Sequence, residues 1–242
     1  MKFLKKIIIA KFDKLSDKPK SAIAVQKKNI KTVWNSKKYN DFGIERILRI
    51  FLVSIQFVFP SLYIREISGR FNTLCRKLCN EIYVIVKISF YILALFVFSF
   101  PHWVSYICLY LIAETICYLL GLFFLGTEYK KPASYIRNLL MALVNFVEIT
   151  LGFAVIYYCS FKESFKESLT AVDAFYFSFI SATTTGFGDI HPISDWSKIV
   201  CVFQNIVSFL LTVFIIAIYI SNLNKKGFLN DKEDQSKDSI KK

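Results

Sequence analysis

Thr183-Thr184-Thr185-Gly186-Phe187-Gly188-Asp189 is the stretch from which the rest of the chain takes its meaning. An apolar, aromatic run, 174–182, leads into it, and a long hydrophobic segment, 199–220, follows it. The order is hydrophobic span, short amphipathic helix, Thr/Gly turn, hydrophobic span, an order that lets backbone line a hole through a membrane. Successive carbonyls of an ordinary strand point to opposite sides. A run pointing one way needs angles that a Cβ disfavours and glycine tolerates, and Gly186 and Gly188 alternate with Thr185 and Phe187. Carbonyl oxygens aligned in this way can replace the water that a cation sheds in a narrow passage. The Thr184 hydroxyl can add one more oxygen. One chain supplies only part of such a cage, so the site needs an assembly of copies.

Thr184 to Asp189 resembles the signature of the potassium-channel family, Thr-x-Gly-(Tyr or Phe)-Gly-Asp, and the resemblance runs without a gap over residues 135–223. It implies an all-α membrane protein whose two-helix pore domain carries a re-entrant pore helix and a selectivity filter. The outer helix is expected over 137–159, the pore helix over 171–182, the filter at 184–188 and the inner helix over 195–223. It further implies a potassium-selective channel subunit that works passively as a homotetramer. Thr184, Thr185, Gly186 and Phe187 would coordinate K+, while Thr183, Gly188, Asp189 and Tyr176 would support the filter. Tyr176 stands where the family has an aromatic that hydrogen-bonds the filter aspartate. Phe177 stands where another aromatic meets the filter aromatic, here Phe187, so that contact is expected to be apolar. Ile180 replaces a glutamate found in some members, which removes any carboxyl pair with Asp189. Ser208 stands where many members have a hinge glycine, and no glycine occurs between Gly188 and Gly227. Ser208 and Thr212 are therefore the cavity or gating candidates, able to bond backbone carbonyls and ease a bend. Thr185 in place of Val or Ile, and Phe187 in place of Tyr, keep a nonselective cation channel as the first alternative. A transporter subunit would carry four degenerate filter loops, and a non-conducting partner subunit would not need an intact filter.

The composition agrees with a polytopic helical membrane protein: 242 residues, 55% hydrophobic and 17% aromatic, with a mean hydropathy of +0.44. The net charge of +13 sits largely in the ends and short loops. There it reports orientation, and contact with anionic membrane lipids, rather than nucleic-acid binding. Residues 1–43 read as a basic cytosolic tail, partly disordered. Residues 44–81 read as an amphipathic or interfacial segment, apolar over 44–64, followed by a basic loop that is helical in part. Residues 82–126 read as a transmembrane helical hairpin turning at Pro101-His102-Trp103, and 224–242 as a second cytosolic tail. Counting 44–64 as interfacial leaves four spans, with both termini in the cytosol of a multi-pass protein of the cell membrane.

The remaining side chains offer little chemistry. Six cysteines lie mostly in apolar spans and form no disulfide framework. Cys75 and Cys79 have no further partners for a zinc site. His102 and His191 stand alone, so no enzymatic activity, resident metal or cofactor is expected beyond the permeant K+. No span carries an arginine ladder, which argues against a voltage sensor. Lys87, Glu114 and Glu148 lie inside spans. Snorkelling of Lys87 is expected over a Lys87–Glu114 pair because their depths match poorly, and Glu148 has no assigned role. The tandem repeat SFKES-FKES over 160–168 reads as an exposed loop before the pore helix. Thr170 with Asp173 reads as that helix's capping box, and Ser194 as the N-cap of the inner helix.

Overall fold

The computed structural model describes residues 21–35, 43–71, 73–97, 101–124 and 135–223, and residues 1–20, 36–42, 72, 98–100, 125–134 and 224–242, with most of both expected tails among them, lie outside the described residues. Every regular element among the described residues is helical. Among the described residues four helical stretches are long and apolar enough to cross a membrane, Leu78–Phe96, Trp103–Leu122, Leu139–Ser164 and Asp195–Ala217, and the bent pair Ile44–Ile55 with Pro60–Gly69 makes a fifth if the two are one span. The chain is thus a helical, multi-pass membrane protein. It divides into two compact units, residues 1–93 with 110–130, and 94–109 with 131–242.

The first unit opens with α1, Ala22–Trp34, inside the stretch read as a partly disordered tail. The Ser21 hydroxyl caps α1 by accepting from the Ala24 amide at 3.2 Å. The Glu66 carboxylate adds a second cap, accepting from the Ser21 hydroxyl at 2.9 Å and the Ile23 amide at 3.1 Å. The apolar segment expected over 44–64 is two helices, α2 (Ile44–Ile55) and α3 (Pro60–Gly69), bent by 60° at the break. Pro60 explains the break, since proline has no amide to lose at a first helical position. The helix then continues through 65–69, read in the sequence as loop, and α4 (Thr73–Phe96) begins four residues later. Buried Val33, Leu52 and Val53 form the unit's apolar centre, with Leu120 and Phe124 of α5 (Trp103–Phe124) packed on it.

The buried charges of this unit depart from expectation. Glu114 is 2% exposed. Its carboxylate accepts from the Ser61 amide, in the first turn of α3, at 2.9 Å and from the Tyr83 hydroxyl at 2.7 Å. Lys87 does not snorkel. Its ammonium donates to Thr115 Oγ1 at 2.8 Å, lies 3.9 Å from Glu114 Oε2 and sits 5.0 Å over the Tyr83 ring. A long side chain can reach across the difference in depth that made this pairing look poor, and pairing removes the cost of two separate buried charges.

In the second unit α6 (Tyr135–Phe161) passes into a single 3-10 turn, Lys162–Ser164, followed by α7 (Ala171–Ala182) and α8 (Asp195–Leu223). Three rings lock these together. Phe177 of α7 lies edge-on to Tyr157 of α6 at 5.1 Å and to Phe165 at 4.9 Å. Phe165 and Leu169 are buried, so the segment expected to be an exposed loop is half inside. The loops before α7 and after residue 189 are stitched to each other. The Ser164 carbonyl accepts from the Ile193 amide at 2.8 Å, and Phe165 bridges Pro192. At the hairpin tip, the Ser160 hydroxyl donates to Ser105 Oγ at 2.7 Å.

Candidate functional site

The signature loop hangs from the end of α7, so the local folding of α7 comes first. Its start is fixed by a reciprocal cap. Thr170 Oγ1 accepts from the Asp173 amide at 3.2 Å, and Asp173 Oδ2 accepts from the Thr170 amide at 3.0 Å and hydroxyl at 2.6 Å. Those bonds to the Thr170 hydroxyl and amide hold the Asp173 carboxyl below the usual range.

At its other end α7 passes its hydrogen bonds on to the loop. The amides of Thr183, Thr184, Thr185 and Gly186 donate back to the carbonyls of Phe179, Ser181, Ile180 and Ile180, at 3.0, 3.1, 2.9 and 3.4 Å. All the peptide bonds here are trans. In a trans peptide the C=O opposes the N–H of the same plane. Four amides facing α7 therefore turn the carbonyls of Ala182, Thr183, Thr184 and Thr185 away from it. Further along, φ alternates in sign: Thr184, Gly186 and Gly188 are positive (57°, 54° and 81°), while Thr185 and Phe187 are not. Alternating backbone handedness brings successive peptide dipoles to one side. The loop residues 183–189 are exposed, and the carbonyl end of the α7 macrodipole adds partial negative charge beside them. A dehydrated cation is the species such an array favours.

The side chains around the loop divide into those the sequence located and those it missed. Tyr176 donates to Asp189 Oδ2 at 2.9 Å. Thr183 Oγ1 donates to the Phe179 carbonyl at 2.9 Å and shares a proton with Thr185 Oγ1 at 3.0 Å. Ile180 is buried, and it serves the loop through its carbonyl rather than its side chain. Phe177 does not follow the expectation. Its ring partners are Tyr157 and Phe165, while Phe187 is 70% exposed. The positive φ of Thr184 was also not anticipated, because the glycines alone carry that signal in a sequence. Ser208 is buried, and Thr212 Oγ1 donates to the Ser208 carbonyl at 2.9 Å, the bond that the absence of glycine made plausible.

Behind the loop lies a polar network that sequence reading did not find. Gln204 of α8 is fully buried. Its Nε2 donates to the Ser178 carbonyl at 2.8 Å and hydroxyl oxygen at 2.9 Å, and its Oε1 accepts from the Tyr157 hydroxyl at 2.7 Å. The Ser178 hydroxyl in turn donates to the Thr150 carbonyl of α6 at 2.7 Å. A glutamine inside a 29-residue apolar helix was the available signal, since a buried carboxamide needs partners. Glu148, on the same helix as Thr150, is also fully buried.

A family described as ion channel matches residues 145–225, from the middle of α6 through α8 and across the whole signature loop. Two-pore potassium channel 5 of Arabidopsis thaliana is 37% identical over 79 residues. Residues 145–225 thus match an ion-channel family, and the likeness to a potassium channel supports a pore domain of that kind. The similarity to the Arabidopsis protein covers 31% of this chain and 19% of that one, so the chain matches about a fifth of its relative's length. No solved structure matches the chain. The pore domain falls entirely within the second unit, and the family match leaves α1 to α5 outside it.

Proposed function

We propose that the chain is a subunit of a potassium-selective channel of the cell membrane, in which four copies present residues 184–188 to one axis and K+ passes passively down its gradient. The observation that carries this reading is the set of four consecutive amides, Thr183 to Gly186, bonded back to the end of α7. The carbonyls that these amides turn away from α7 include those of Thr184 and Thr185, two of the four ligands proposed, and one chain cannot surround an ion. Thr184, Thr185, Gly186 and Phe187 supply the oxygens, by backbone carbonyl and by the Thr184 hydroxyl. Thr183, Gly188, Asp189 and Tyr176 hold the loop's shape. Ser208 and Thr212 are the positions where the α8 helix would bend or line the cavity. Residues 44–69 lie at the membrane interface in contact with lipid, which keeps four spans and both termini on the cytosolic side. The test is potassium or rubidium flux against sodium flux from purified protein in proteoliposomes, with native mass measured in nanodiscs. Selective flux from a four-copy assembly is expected. Equal passage of sodium would leave the nonselective reading, and a conducting monomer would refute the shared axis.

A further inference from the structure

We infer that Gln204 is a positioning residue for the signature loop, joining the α8 helix to α7 so that movement of α8 is transmitted to the loop rather than absorbed beside it. The inference rests on the reading of 184–188 as the ion path. Its geometry, though, lies within one subunit.

The carboxamide is held from three directions. The Ser178 carbonyl can only accept, so the group facing it must be the NH2, and the Tyr157 hydroxyl then meets the oxygen as a donor. The head group thus has one orientation. Ser178 belongs to the last two turns of α7, two residues before Ile180, and the Ile180 carbonyl receives the Thr185 and Gly186 amides. The path from α8 to the loop is therefore Gln204, Ser178, two residues of α7 to the Ile180 carbonyl, and the amides of Thr185 and Gly186. The Ser178 hydroxyl carries the same tie outward to the Thr150 carbonyl of α6. Breaking these bonds without replacing them leaves buried polar groups unpaired, which is more costly than the bonds are stabilising.

Gln204 also sits four residues before Ser208, where Thr212 bonds the backbone carbonyl. A bend of α8 at Ser208 leaves Gln204 with the part of the helix that holds α7. Tilt or rotation above the bend is then expressed at Thr185 and Gly186. Plain core packing would need only volume at position 204, and a carboxamide with three partners is a poor choice for volume alone.

The test compares wild type with Gln204→Met and with Tyr157→Phe/Gln204→Met in proteoliposomes, reading the potassium-to-sodium flux ratio and the thermal midpoint together. Gln204→Met takes away the oxygen that accepts from the Tyr157 hydroxyl, leaves it only the weak Cys201 thiol as a partner, and should lower both. The double variant removes that poorly paired hydroxyl and should recover the midpoint. The flux ratio should stay about tenfold below wild type in both variants, within the usual range of coupling between sites. Ser178→Ala, a small change that leaves α7 helical, should lower the ratio by about threefold and keeps the idea testable if neither Gln204 variant assembles. A ratio that recovers together with the midpoint, or variants within about twofold of wild type, would overturn the inference. A wild type that does not select potassium overturns instead the reading on which it rests.

Discussion

The Tyr176 hydroxyl donates to Asp189 Oδ2 at 2.9 Å, across thirteen residues of chain, and so ties the middle of α7 to the residue that closes the signature loop. The hydrogen bond to Asp189 holds the proton on the Tyr176 hydroxyl and pushes the phenol up. Tyr176→Phe removes the donor and keeps the ring. It should shorten the time over which proteoliposomes sustain potassium flux, whereas Asp189→Asn, which keeps an acceptor, should do so less. Equal behaviour of Tyr176→Phe and wild type over repeated flux cycles would show that the loop holds its shape without this bond.

Gly186 and Gly188 adopt φ values of 54° and 81°, and a Cβ placed on either would meet no atom within 4 Å in the chain itself. The obstacle to alanine is therefore the backbone angle, at roughly 1–3 kcal/mol per subunit. Gly186→Ala and Gly188→Ala should each abolish selective rubidium uptake while the protein still inserts and keeps its helical circular dichroism. Phe187→Tyr should be mild, because the ring is exposed and the carbonyl is unchanged. Thr184→Ala should fall between, losing a hydroxyl but no carbonyl. Unchanged selectivity in Gly186→Ala would mean that ions do not pass along this backbone.

The cap at Thr170 makes a pH-dependent contribution with a definite sign. Asp173 is held below its usual carboxyl range in the folded chain, so its stabilisation is full above the unfolded value, about 3.9, and is lost as pH falls through the folded value. Asp173→Ala should cost about 1 kcal/mol near neutral pH. Its thermal midpoint should converge on that of wild type below about pH 4. A gap that persists undiminished at low pH would show that the carboxylate is not the group responsible.

Lys87 and Glu114 should fail separately and tolerate joint replacement. Lys87→Met leaves a carboxylate 2% exposed beside only neutral donors, at a cost of about 3 kcal/mol. Lys87→Met/Glu114→Gln keeps one oxygen for the Ser61 amide, turns an NH2 towards the Tyr83 hydroxyl, which can rotate to accept it, and removes both charges. Denaturation in detergent should find the double variant closer to wild type than the single one. Additive losses would mean that the two side chains act independently.

Much of the pore domain was legible because its signals are local. A Thr-Gly alternation requires particular backbone angles, Thr170 and Asp173 stand at cap spacing, and the Tyr176–Asp189 bond follows from a residue able to donate. The contacts of Phe177 were not legible. Whether a ring turns towards Phe165 or Phe187 depends on the loop at 160–169, whose repeated letters gave no hint that Phe165 would be buried and Lys166 exposed. The Gln204 network joins residues 26 and 47 positions apart, beyond the reach of any periodicity. In the first unit, Pro60 was visible as a local irregularity. That a carboxylate 53 residues away would hold the first turn of the helix it starts was not.

The alternating φ signs of residues 184–188 have a stereochemical consequence. Three of the five residues take the hand natural to D-amino acids, and two of those three are glycine, the achiral residue that serves either hand. Thr184 is the exception, an L-residue held in the mirror-image region. A chain made by semisynthesis with D-alanine at 186 should therefore retain the angle that L-alanine strains, although both add the same methyl group. The two diastereomers separate chirality from size at one atom.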